Sequence, residues 1–170
     1  EYCTKAQLLN YESIRPMFEA FQINRYDATG IIQWMLNSSW PKLIWQLYGF
    51  DLLPNAALYG TRKALQPLQA IYDYGKNEIV LSNTSLQSHE NLKLKLRVFN
   101  LDMKEMLSRD IPLSIGADEC RVACSLPEKI DGLSKTYLLD LRITSDGNEP
   151  LAINQYLLST VKDEPDWDRT

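Results

Sequence analysis

The stretch GIIQWMLNSSWPKLIWQLYGF, residues 30–50, holds three of the chain's four tryptophans, Trp34, Trp40 and Trp45. A core segment would spread its largest aromatics apart, and a membrane segment would not contain Asn37, Ser38, Ser39 and Lys42. The run IIQWML at 31–36 reads as a short strand of the fully buried type. Strand side chains alternate, so Gln33 and Met35 are expected to face one way and Ile32, Trp34 and Leu36 the other. At the carboxyl end of a barrel strand, side chains enter the pocket where barrel enzymes keep their sites. An indole beside amide and hydroxyl groups matches the needs of a sugar ring. The C–H face of a pyranose lies against the aromatic face, and its hydroxyls take hydrogen bonds from neighbours such as Asn37. The other reading is that these tryptophans only pack a domain junction. From spacing alone, packing holds a slight edge.

Working outward, residues 4–24 read as an amphipathic helix with Leu8, Tyr11, Ile14, Phe18 and Phe21 on its inner face. Thr4 and Gln7 form a candidate capping box at its start. Pro16 removes a backbone donor and is expected to kink or divide the helix. YDATG ends it. Downstream of the tryptophans, Asn55 can cap a second helix over 56–69, with Leu58, Leu65 and Leu68 facing inward. Helix, buried strand, long loop, helix is the pattern at the end of an α/β barrel.

From Tyr72 onward the period changes to two. EIVLSN, NLKLKLRVFN, CRVACSL, KTYLLDLRIT and AINQYLLS are short alternating runs divided by turn residues. In the clearest, Leu92, Leu94, Leu96 and Val98 point inward while Lys93, Lys95 and Arg97 form a solvated face. Strands of this length and spacing argue for an immunoglobulin-like β-sandwich. The expected organisation is therefore 1–71 as the carboxyl-terminal end of a barrel, 72–160 as a sandwich, and 161–170 as an acidic tail that Trp167 can anchor.

The chain has 170 residues, 45% hydrophobic and 24% charged, with net charge −4 and pI near 5.1. That balance gives no general attraction to nucleic acid or anionic lipid. No run of about 18 apolar residues offers a membrane span. The first residue is Glu1, so the chain reads as cut from something longer, and a missing targeting segment carries no information. Cys120, Val122 and Cys124 are expected on one strand face. Four residues along a strand put the two cysteines roughly 13 Å apart, too far for a disulfide. With His89 as the one histidine, a His-rich metal site or a serine triad within the chain is excluded. Asn-x-Ser triplets at Asn37 and Asn83 are read as chance, the surroundings of Asn37 as too buried for a glycan.

The segment WMLNSSW resembles the eighth-strand region of the glycoside hydrolase family 2 barrel. In the β-mannosidase branch of that family this region carries Trp-Gln-Leu-Asn-Asp, then a second tryptophan and a third after a short loop. Here Trp34, Leu36, Asn37 and Trp40 occupy the same relative places, with Trp45 as the third. Ser38 replaces the aspartate, which is more similar to the branch of exo-β-glucosaminidases and plant-type endo-β-mannosidases. KAQLLNYESIRPMFEAF resembles the preceding barrel helix. YGTRKALQPLQAIYDYGKNEIVLSN resembles the last barrel helix running into a sandwich, and NQYLLSTVKDEPDW that sandwich's last strand.

The resemblance implies a retaining glycosidase that uses two carboxylates and no cofactor, neither metal nor nucleotide. It places both catalytic glutamates in earlier barrel strands, outside this sequence. Within it, Glu12, Glu19, Asp51 and Asp73 offer no pair at the roughly 5–5.5 Å such a mechanism needs. Catalytic residues are thus expected to be absent and the chain inactive by itself. Trp34 is the expected wall of the sugar subsite, with Asn37 and Trp40 lining its entrance; Trp45 fits packing equally well. The implied partners are a β-linked oligosaccharide or polysaccharide and the remainder of the same hydrolase. An extracytoplasmic location follows from polysaccharide substrates, with free cysteines arguing against it. A non-catalytic sandwich module binding a carbohydrate or a partner protein is the alternative, and one fragment of a split hydrolase is a third.

Overall fold

The first helix, α1, runs without interruption over Tyr2–Ile23, through Pro16. The chain is described by a computed structural model covering residues 1–42, 46–145, 149–161 and 164–166. The buried stripe of α1 is Ile14, Arg15, Phe18, Glu19 and Gln22, flanked by half-buried Tyr11. Apolar periodicity put Leu8 and Phe21 on that stripe, but Leu8 is exposed and Phe21 half-buried. The buried face is rotated because three long polar side chains lie in it. The expected capping box is absent too. Glu1 is the N-cap residue and makes no side-chain cap bond. Gln7 instead accepts from the Ala56 amide at 2.7 Å, closing the start of α2 from 49 residues away.

Helix α2 spans Ala56–Ala64, and the Asn55 side chain accepts from the Ala57 amide, as its position before the helix predicts. The helix stops well short of residue 69. Pro67 cannot continue it, and the residue before a proline is pushed to extended backbone. Gly60 lets α1 and α2 approach closely, since a Cβ there would stand 2.8 Å from Ile14 Cγ2 and 3.1 Å from the Tyr11 carbonyl oxygen. Ile14, Phe18, Leu47, Ala57 and Ala64 form the small core. The stretch 31–36, expected as a strand, is irregular. A buried strand needs neighbouring strands on both edges, and among the described residues 31–36 belongs to neither sheet.

Two compact units meet between Gln66 and Pro67, five residues before the expected boundary. The second carries seven strands: β1 Leu68–Asp73, β2 Glu78–Asn83, β3 His89–Asn100, β4 Glu105–Ile115, β5 Glu119–Ser125, β6 Thr136–Thr144 and β7 Pro150–Ser159. They form two antiparallel sheets, ordered β1-β2-β5 and β4-β3-β6-β7. The sheets bury one core between them, with Leu81 and Ile79 from one facing Leu94, Leu96, Leu141 and Tyr156 from the other. The result is a β-sandwich. Two of its strands escaped the alternation reading: β1, taken for helix and linker, and β4, where Arg109 and Pro112 interrupt the apolar pattern. The basic face of β3 is answered by acids on β4, with Arg97 3.0 Å from Asp110 and 3.4 Å from Glu105.

The open backbone edge of β1 is closed by side chains of β7. The Tyr72 amide donates to the Tyr156 hydroxyl at 3.1 Å, and Asn154 Nδ2 donates to the Ala70 carbonyl at 2.8 Å. A bulge in β5 corrects the expected cysteine face. Cys124 pairs with Ile79 but Val122 with Val80, so Ala123 is the extra residue and Cys124 turns toward the core, away from the side of Cys120 and Val122. All three cysteines are thiols. Asn83 is fully buried, donating to Gln87 and Gly116 carbonyls at 2.7 Å each and accepting from Ser85. The tail is tied to the sandwich where described, with the Asp166 amide donating to Thr136 Oγ1. Trp167 lies outside the described residues.

Candidate functional site

Leu36 begins a loop that hydrogen bonds lace to the start of α2. Its carbonyl accepts from the amides of Leu47 at 3.0 Å and Tyr48 at 3.1 Å. Asn37 bridges to Tyr48, and Tyr48 to Pro54. The Asn55 amide then donates to the Leu47 carbonyl at 3.1 Å, and Asn55 Nδ2 to the Gln46 carbonyl at 2.6 Å. Leu47 is the apolar nail in this loop, seated beside Ile14 and Phe18. The backbone around the candidate residues is therefore fixed although it is not a strand.

From this loop the aromatic side chains project outward. Trp34 is 74% exposed and Trp40 59%, so neither is core packing within this chain. The peptide between Trp34 and Met35 is cis. Asn37 is exposed as well, its Nδ2 donating to the Ser38 carbonyl at 3.4 Å. Exposure removes the burial argument against a glycan there. Ser38 is buried, and its hydroxyl donates to the Trp40 carbonyl at 2.9 Å, holding the turn that presents Trp40. Lys42 stands over the Trp40 ring, its ammonium 4.3 Å from the centroid. Asn37, Trp40 and Lys42 are thus exposed along one short stretch, with Ser38 buried beneath the Trp40 carbonyl and Trp34 just upstream. Trp45 lies outside the described residues.

The carboxylates of α1 are engaged elsewhere. Arg15, almost wholly buried, lies 3.2 Å from Glu12 and 3.6 Å from Glu19, and its guanidinium is 5.1 Å from the Tyr11 ring centroid. Burial pushes the Glu12 carboxyl above the ordinary glutamate range, an effect the Arg15 charge partly offsets. Burial also lowers Lys63 on α2, as does the charge of Arg15, with Glu19 opposing. Both acids are engaged by the one guanidinium between them, an ion-pair arrangement rather than that of a free nucleophile and an acid. Periodicity missed this cluster because it scores Arg15 and Glu19 as surface residues. Their i, i+4 spacing was the available signal. Among the described residues, no three histidine, cysteine, aspartate or glutamate side chains gather as a metal site.

Compared with known proteins, the chain matches no family model. It is 36% identical, over its whole length, to the exo-β-D-glucosaminidase of Streptomyces avermitilis, covering 20% of that enzyme. The structure of a variant of the exo-chitosanase CsxA from Amycolatopsis orientalis, in complex with PNP-β-D-glucosamine, superposes with a TM-score of 0.87 at 35% identity, over all of this chain and 21% of that one. The chain is thus homologous to a portion of the exo-β-D-glucosaminidases, of which the structurally matched CsxA is a member of glycoside hydrolase family 2. The resemblance carried by WMLNSSW is thereby borne out. A β-D-mannosidase from Dictyoglomus thermophilum shares the fold at a TM-score of 0.75 and 14% identity, over 91% of this chain and 19% of that one. The chain spans about one fifth the length of the curated relatives it matches.

Proposed function

We propose that this chain is the carboxyl-terminal part of a retaining, exo-acting β-glycosidase that removes terminal β-D-glucosaminyl residues. In this reading, residues 1–66 are the last helix–strand–helix of a TIM barrel and the sandwich is immunoglobulin-like. The carrying observation is the end-to-end likeness to enzymes named for exo-β-D-glucosaminidase activity, five times longer than the chain. The exposed apolar surface of Ile32, Trp34, Leu36 and Trp40 supports it, since a monomer seldom leaves so much apolar surface in one stretch without a partner. Strand partners for 31–36 and the two catalytic glutamates would come from the preceding barrel. Trp34 would wall the subsite of the cleaved sugar, with Asn37 and Trp40 at its entrance. The engagement of Glu12 and Glu19 with Arg15 supports an inactive isolated chain.

The test is hydrolysis of aryl β-glycosides by the complete polypeptide that contains this chain. The glucosaminide should be cleaved in preference to the mannoside, galactoside and glucuronide, with retention at the anomeric carbon. Preference for the mannoside would move the enzyme to the neighbouring branch. Failure to cleave any of the four would refute the glycosidase reading.

A further inference from the structure

The connection between β5 and β6 is fastened to the sandwich at both ends. At the first end the Leu126 amide donates to the Asn77 carbonyl at 3.0 Å, and Asn77 Nδ2 donates to the Leu126 carbonyl at 3.3 Å. At the second, Asn100 Nδ2 donates to the Gly132 carbonyl at 3.2 Å, and Asn100 Oδ1 accepts from the Ser134 amide at 2.8 Å. Between these anchors, among the described residues, the arch 127–131 makes no hydrogen bond to either sheet. Arch and strand ends border a cavity of about 610 Å³, within the roughly 300–1,000 Å³ of small-molecule sites. Buried Val98 and Leu126 and the half-buried Tyr137 ring supply its apolar lining.

Two polar groups on that lining are unused. Burial pushes the Tyr137 phenol above the ordinary tyrosine range, yet among the described residues no hydrogen bond reaches its hydroxyl. Glu128, exposed on the arch, likewise has no partner among the described residues. The one cation of the lining, Lys129, lies 3.2 Å from Asp131, which leaves no free positive charge to hold a phosphate. A wholly apolar guest would leave the phenol and the carboxylate unanswered. A pyranose answers both. Its C–H face lies against an aromatic ring, and two neighbouring hydroxyls donate together to the two oxygens of one carboxylate.

We propose that this cavity is a binding site for a neutral pyranose unit of a glycan. Tyr137 supplies the ring face and a hydroxyl donor, and Glu128 accepts from a vicinal pair of sugar hydroxyls. The site lies wholly in the sandwich and depends neither on the tryptophan loop nor on hydrolysis.

The test is calorimetric titration of cellohexaose and mannohexaose into the complete polypeptide that contains this chain, carrying Trp34→Ala so that the tryptophan loop contributes little. At least one hexasaccharide should bind. Glu128→Gln removes the charged acceptor and Tyr137→Phe keeps the ring without its hydroxyl. Each should weaken that binding about three- to tenfold, with the circular dichroism spectrum unchanged. No binding of either hexasaccharide, or binding that either variant leaves unchanged, overturns the site. Should Tyr137→Phe fail to fold, Glu128→Gln on the exposed arch decides alone. Hydrolysis of aryl glycosides is read separately on protein with Trp34 intact. Its absence refutes the glycosidase reading and leaves the sandwich site standing, and hydrolysis without the variant effects does the reverse.

Discussion

Trp34 is the residue whose environment contrasts most with its size. An indole exposed to water contributes little to the stability of this chain, so its removal should be read out in function. Under the proposed glycosidase reading, Trp34→Ala in the complete polypeptide is expected to lower kcat/KM at least tenfold, about 1.4 kcal/mol of transition-state binding, with the circular dichroism spectrum unchanged. Unaltered kinetics would refute the proposed place of Trp34 in a sugar pocket. The clustering of Trp34, Asn37 and Trp40 was legible because it conflicts with ordinary core spacing. Their local support was not. The bond from Ser38 to the Trp40 carbonyl and the seat of Lys42 depend on loop geometry, which no periodicity encodes. The burial of Arg15 and Glu19 was equally hidden, because a charged side chain reads as surface until its partner is placed.

Among the elements, the two helices are specified by short-range chemistry and by one close approach. Gly60→Ala would gain helix propensity, up to about 1 kcal/mol. The new methyl, however, would meet the buried Ile14 side chain at 2.8 Å and the α1 backbone at 3.1 Å. Overpacking of this kind costs about 1–3 kcal/mol, so net destabilisation is expected in chemical denaturation. Gly30→Ala, with nothing within 4 Å, is the control and should be neutral. Asn55→Ala removes the bond to the Ala57 amide and that to the Gln46 carbonyl. A loss of about 1–2 kcal/mol follows, and a melting temperature equal to wild type would show the cap to be dispensable. The strands divide along similar lines. β3 was legible from the alternation of its buried and more exposed faces, and β2 as a short apolar run bounded by turn residues. β1 was not, because Leu68–Tyr72 is buried throughout and shows no period. The Cys124 turn was missed because a bulge inserts one residue and reverses the faces beyond it.

For the whole molecule, the change from helical to two-residue periodicity located the division to within five residues of the Gln66–Pro67 boundary. The sandwich also carries a pH limit. Tyr72 lies in its core, and burial, then the charges of Tyr137 and Asp73, push its phenol up to about 12. An unfolded tyrosine loses its proton near 10. Below that pH both states hold the proton and stability is unaffected. Between about 10 and 12 the unfolded state ionises first, so stability falls as pH rises, by about 2–3 kcal/mol in full. Tyr72→Phe should remove this dependence at the cost of the hydrogen bond to Asn77 Oδ1. Alkaline unfolding monitored with tyrosinate absorbance would show it, and an identical alkaline midpoint in the variant would refute the assignment.

The bond from Gln7 to the Ala56 amide makes the stretch between the helices covalently expendable. Residues 24–32 are largely exposed, which makes them the natural place for a protease to cut. A clip there would leave α1 held to α2 by Gln7, by the Gly60 contact with Ile14 and by their shared apolar core. The nicked molecule should migrate as one species under native conditions and as two pieces once denatured. A preparation judged intact by gel filtration could therefore contain a severed backbone.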